Sequence, residues 1–223
     1  MDICFLDIET VPAMDAHAEC KPECKYGNLK DTSKREAKLK EWETEGGQIK
    51  AMSCDPWLNK IVCIEIFASK SNGFFSFVFS ACNEKDGLKF FWGLINDFDL
   101  IVGFNLINFD LQTILNRSIL LEIEPTRDIP LKRYTRSPVY DIAMVLCGWD
   151  MSKLKKMDWY LKRFGLATKS GDGSQVYSWY QEGKLDKIHE YCKEDVLATK
   201  SLFEKIIKYY PIPRNYDREQ YQD

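Results

Sequence analysis

Ile3-Cys4-Phe5-Leu6-Asp7-Ile8-Glu9-Thr10 places four apolar residues directly ahead of two acids, and this order reads as a buried strand whose far end carries carboxylates. Side chains two apart in a strand share a face, so Asp7 and Glu9 converge on one spot. Their mutual repulsion and desolvation are costly there unless a cation lies between them. Ligands that are all oxygen favour magnesium or manganese. An isolated D-x-E serves equally well as a helix cap or a solvated strand end, so the rest of the chain has to decide.

Working outward, residues 11–50 are charged and mixed in texture, with a predicted helix over Lys30–Trp42 and a Gly46-Gly47 stop. They read as an insertion over one edge of the core. Residues 61–68 and 74–81 are rich in β-branched and aromatic types and are separated by Lys70-Ser71-Asn72-Gly73, which predicts a hairpin. Leu88, Phe91, Trp92 and Ile95 recur at helical spacing within a helix over 84–97, which leads to the strand Leu100-Ile101-Val102-Gly103-Phe104. Helices are predicted over 109–119, 139–148, 152–164, 174–181 and 184–208, the last ending before Pro211. The class is α/β, a mixed central sheet flanked by helices. Residues 1–210 read as one domain and 211–223 as a loose tail.

A chain of 223 residues, 45% hydrophobic and 13% aromatic, buries a substantial core. Its net charge of -3 argues against a protein that coats polyanions, so any contact with nucleic acid has to be a local groove. No apolar run approaches the roughly 18–20 residues of a membrane span, and Met1-Asp2 leads straight into a strand, which predicts a cytoplasmic protein without membrane contact. The eight cysteines are scattered, several inside apolar segments such as Ile61-Val62-Cys63-Ile64, so no disulfide framework is expected. His17, Cys20, Cys24 and Cys54 offer zinc-ligand chemistry, but C-x3-C without a second tight pair is weak, and they read as reduced loop thiols.

Two further elements carry acids. In Gly103-Phe104-Asn105-Leu106-Ile107-Asn108-Phe109-Asp110 a strand gives way to a helix, and Asp110 falls in the first turn at the positive end of the helix dipole. In Tyr191-Cys192-Lys193-Glu194-Asp195, Tyr191 and Asp195 lie at i and i+4 and share one helix face. Each alone is ordinary. Taken in order, Asp7-Ile8-Glu9, Asn105-x3-Phe109-Asp110 and Tyr191-x3-Asp195 resemble the three exonuclease motifs of the tyrosine branch of the DEDD superfamily. Gly103-Phe104-Asn105, Tyr140-Asp141-Ile142, Gly183-Lys184-Leu185 and Ile188-His189-Glu190-Tyr191-Cys192 are similar to the 3′–5′ exonucleases related to the proofreading domain of family B DNA polymerases. The histidine branch carries its His five residues before the last Asp. That position here is Glu190, with His189 one residue out of register, so Tyr191 marks the branch.

The resemblance implies a ribonuclease H-like fold and phosphodiester hydrolysis with two divalent ions, Mg2+ or Mn2+. Asp7, Glu9 and Asp195 would hold one ion, Asp7 would bridge to the second, and Asp110 would complete its shell. Tyr191, a poor base with a phenol pKa near 10, would orient the attacking water. The implied substrate is nucleic acid, chiefly single-stranded or frayed DNA 3′ ends, which would release 5′ nucleoside monophosphates. Thr10, Phe104, Asn105 and Phe109 would surround the terminal nucleotide, Phe109 reading mainly as a core residue. Lys132, Arg133 and Arg136 either grip the strand's backbone or form a solvated loop. Asp141 matches a further family Asp that either anchors its helix near the site or simply caps it. The protein would act alone or edit for a polymerase in trans, and RNA stands beside DNA as a substrate.

Two other classes compete. A phosphatase of the haloacid dehalogenase type needs D-x-D-x-T, whereas Glu9 is one carbon too long and no later Gly-Asp-x3-Asp element follows. A degenerate, merely binding module would usually lose metal ligands, yet four carboxylates and the tyrosine stand in place here.

Overall fold

The computed structural model describes residues 1–44, 46–79, 84–168, 171 and 173–213. Strand β1 (Ile3–Pro12) runs through the middle of a five-stranded sheet of order β3-β2-β1-β4-β5. β2 (Asn59–Ala68) pairs antiparallel with β1, and β3 (Gly73–Val78) antiparallel with β2, across the predicted hairpin. β4 (Leu100–Gly103) and β5 (Val139–Asp141) are parallel to β1.

Both faces of the sheet are covered, which explains why β1 and β2 read as nearly continuous apolar runs. Cys4, Leu6 and Ile8 pack with Leu88, Phe91 and Trp92 of α3 (Glu84–Leu94) and with Leu111 and Ile114 of α4 (Asp110–Leu120). Phe5 faces the other way, with Ile142 of α5 (Ile142–Cys147), Leu161 of α6 (Met157–Phe164) and Val196, Leu202 and Phe203 of α8 (Leu185–Ile206). Beyond Phe5 the same alternation turns Asp7 and Glu9 toward α8. The short helix α7 (Val176–Gln181) closes the carboxyl end of β1, where Val176 meets Val11, Ile188 and Tyr191.

Four expectations shift. The helix predicted over 152–164 is a short 3-10 turn over Met151–Lys153, then extended chain, with α6 starting only at Met157. The predicted helix over 139–148 begins instead as β5, because three residues are too few to show alternation, and Asp141 ends the strand while capping α5. Residues 11–50 do not hold one helix with a stop. β1 continues to Pro12, α1 covers Thr32–Thr44, and Gly46, left-handed at φ 66, is the N-cap of a second helix, α2 (Gly47–Ser53). β3 ends at Val78, and the rest of that predicted strand reaches positions 80 and 81, outside the described residues, as is 214–223 of the predicted tail.

Candidate active site

The site forms where the sheet splits. β4 stops at Gly103 while β1 runs on to Pro12, so past Phe5 one edge of β1 has no neighbouring strand. A buried N–H there needs a partner. Asp110, the first residue of α4, supplies it: its Oδ1 accepts from the backbone N–H of Ile8 at 3.1 Å. Burial, with Asp141 and Asp195 adding negative charge, pushes the Asp110 carboxyl up to about 8 against the pull of that bond.

Asp7 is half-buried and Glu9 buried, and both turn toward α8, whose Tyr191 and Asp195 present one face to them. The four groups share one field. Burial raises the Tyr191 phenol above its ordinary range, the charges of Asp195, Glu9 and Asp7 raise it further, and its hydroxyl hydrogen-bonds Asp195. The phenol is thus harder to ionise than an ordinary tyrosine and donates to Asp195. The next residue, Cys192, places Sγ 3.5 Å from Asp7 Oδ2 and 3.6 Å from the Asp7 carbonyl. Donor atoms of Asp7, Glu9 and Cys192 lie within 4.8 Å of one another, the single cluster of metal-ligating type among the described residues. The two carboxylates, with Asp195 on α8 lining the same cleft as Asp7, offer oxygen donors that suit a hard divalent cation. His17, Cys20, Cys24 and Cys54, with their zinc-ligand chemistry, do not converge in this way.

The loop after β4 is shaped by Asp141. Asn105 adopts the left-handed φ of 62 that Asn tolerates, and the Asp141 carboxylate accepts from the N–H groups of Asn105, Ile107 and Met144 at 3.0, 2.9 and 3.2 Å. One side chain thus holds both the turn that launches Asp110 and the first turn of α5.

A cleft of about 680 Å³ opens over the carboxylates. Asp7, Phe104, Asn105, Tyr191 and Asp195 line it, together with Met151, Leu154, Lys155, Lys156, Met157, Asp158, Gly171 and Gly173. Other residues expected at the site lie elsewhere. Thr10 donates its hydroxyl to the Ser53 carbonyl at 2.8 Å and so ties α2 to β1. Phe109 packs against the core on the α4 side. Lys132 and Arg133 are exposed, and Arg136 exerts its charge on Tyr140, whose hydroxyl bonds Tyr210 at 2.7 Å at the far end of α8.

Comparison with known proteins agrees with this geometry. Residues 55–223 match the family model described as "Predicted 3'-5' exonuclease related to the exonuclease domain of PolB". The chain belongs to this family. Its fold is similar to part of the family B DNA polymerase from the hyperthermophilic archaeon Pyrobaculum calidifontis, with a TM-score of 0.61 at 18% identity over 94% of this chain and 25% of the polymerase chain. The ribonuclease H-like assignment thus holds. No curated protein matches the chain, and no helix among the described residues is long and apolar enough to cross a membrane.

In this member of the PolB-related exonuclease family, several residues at the site had no reading in the sequence. Lys155 and Lys156 reach the cleft because α6 packs beside α8, which only the fold decides. Glu65 could have been found, since a lone acid inside Ile61–Ala68 demands an explanation. It is fully buried directly across from Asp7, with Ser76 Oγ at 2.7 Å and His189 Nε2 at 3.3 Å. His189, one position out of register for the histidine branch, serves this buried acid.

Proposed function

We propose that the protein is a divalent-metal-dependent 3′–5′ exonuclease acting on single-stranded or frayed DNA ends and releasing 5′ nucleoside monophosphates. The observation that carries this reading is that Asp7, Tyr191 and Asp195 line one cleft, with Glu9 clustered against Asp7 and Asp110 bonded to the backbone of Ile8. Asp7, Glu9 and Asp195 would hold one ion, and Asp7 with Asp110 a second. Bound Mg2+ or Mn2+ supplies an acidified water, neutralises phosphate charge and stabilises the leaving oxygen. The chain's own residues do the rest. Tyr191, held neutral, donates to an oxygen beside the scissile phosphate and orients the attacking water. Lys155 and Lys156 meet the phosphodiester backbone on the wall of the cleft, while Phe104 and Met157 offer apolar surface to the terminal base.

The test uses labelled single-stranded DNA, duplex DNA and RNA with Mg2+, Mn2+ or chelator. Metal-dependent release of mononucleotides from free 3′ ends of DNA is expected, with equal cleavage of 3′-blocked strands ruling out an exonuclease and a preference for RNA reassigning the substrate. Asp7→Ala should abolish release and leave the fold intact, since it deletes a ligand from carboxylates that otherwise repel one another.

A further inference from the structure

Tyr191 is fixed at its backbone by α8, but the position of its hydroxyl depends on where the ring lies, and the ring borders an open cleft. Its hydroxyl bonds Asp195 and its flank packs in the cluster with Val11 and Val176, and two further contacts border the ring. Trp179 of α7 meets the ring at 6.0 Å between centroids and 63° between planes. The second contact is backbone alone. A β-carbon built on Gly171 would stand 2.3 Å from Cδ2 and 2.6 Å from Cε2 of Tyr191, where ordinary contact begins at 3.4 Å. One built on Gly173 would stand 3.4 Å from the Tyr191 hydroxyl oxygen. The chain therefore passes along the ring edge at Gly171 and beside the oxygen at Gly173, with room for hydrogen and nothing larger at the first point. Gly171 is the point of closest passage, and a side chain there has no room beside the ring. Close approach is its physical reason.

We propose that Gly171 is a positioning residue for the reaction: its bare backbone lets the chain close onto the Tyr191 ring and so sets where the phenol points. This deepens the exonuclease reading and rests on it. A methyl group at 171 displaces the ring or the backbone by about 1 Å, and a misplacement of that size at a reacting centre costs up to about a hundredfold in rate. The ring, not the carboxylates, takes the displacement, so metal and strand binding should be spared.

The test is a double-mutant cycle of Gly171→Ala with Tyr191→Phe, read by single-turnover release from a single-stranded 3′ end, with KM, Mg2+ titration and thermal melts alongside. Gly171→Ala in the wild-type background should lower kcat by about ten- to a hundredfold, with KM and the Mg2+ midpoint within about twofold. In the Tyr191→Phe background the same change should alter the rate by less than about twofold, because the group it misplaces is gone. Equal losses in both backgrounds, or none in the first, overturn the proposal while the exonuclease reading stands. Gly173→Val, whose γ-methyls reach beyond a β-carbon already at ordinary contact distance from the hydroxyl oxygen, serves if the alanine at 171 prevents folding, and it should show the same silence beside Tyr191→Phe. Failure of the wild type to release nucleotides overturns both readings.

Discussion

Asp110 accepts the backbone N–H of Ile8 at 3.1 Å across 102 positions of sequence. The carboxylate that would complete the metal shell is thus also what caps the open edge of β1 beside Asp7. On the proposed reading, metal binding and strand geometry share one side chain.

That double duty separates two substitutions. Asp110→Asn keeps an acceptor for Ile8 and should fold normally while losing nearly all nuclease activity. Asp110→Ala leaves a buried N–H unpaired and should lose activity and about 1–3 kcal/mol of stability. Chemical denaturation of the two metal-free variants checks this, and equal stability would show that the bond to Ile8 contributes nothing.

Asp141 makes the pH dependence testable. Burial pushes its carboxyl up to about 6 from an ordinary 3.8, against the backbone N–H groups of Ile107, Met144, Asn105 and Ala143 that pull it down. With the folded value above the unfolded one, the folded state binds the proton more tightly. Its stabilising contribution is complete below about pH 4 and is lost as pH rises through 6. Melts of metal-free wild type against Asp141→Asn should show the wild-type advantage shrinking over that window. An advantage that grows with pH would mean that the bonds to Asn105, Ile107 and Met144 outweigh burial.

Tyr191→Phe removes only the hydroxyl. If the phenol orients water and does not hold metal, the rate falls about ten- to a thousandfold while metal affinity stays unchanged. Single-turnover rates beside metal titrations decide the matter, and lost metal binding would place the phenol in the ligand shell.

Lys155 and Lys156 line the cleft, whereas Arg133 and Arg136 lie off it. Replacing either lysine by alanine should weaken binding of single-stranded DNA and reduce the slope of log affinity against log salt by about 0.7, with kcat little changed. A larger loss from Arg133→Ala or Arg136→Ala would route the strand over the loop before β5.

The sequence by itself determined the class of fold and the chemistry of the floor. Period-two and period-3.6 patterns report burial, so β1, the β2–β3 hairpin and most helices were legible, and Asp7, Glu9, Asp110, Tyr191 and Asp195 stood out as acids and a phenol in three ordered motifs. Short or two-faced elements escaped. β5 is three residues long, and the Gly46-Gly47 pair that read as a stop begins a helix, because a left-handed glycine can end one segment or cap the next. Only the tertiary structure decided which groups share the cleft. Thr10 and Phe109 sit inside the motifs yet turn to α2 and the core, while Lys155, Lys156 and Gly171 carry no motif and reach the site because α6 and the segment before α7 pack beside α8. Motif spacing fixes which residues lie on one element. Which elements meet is set by burial of faces far apart in the chain, and no local pattern records it.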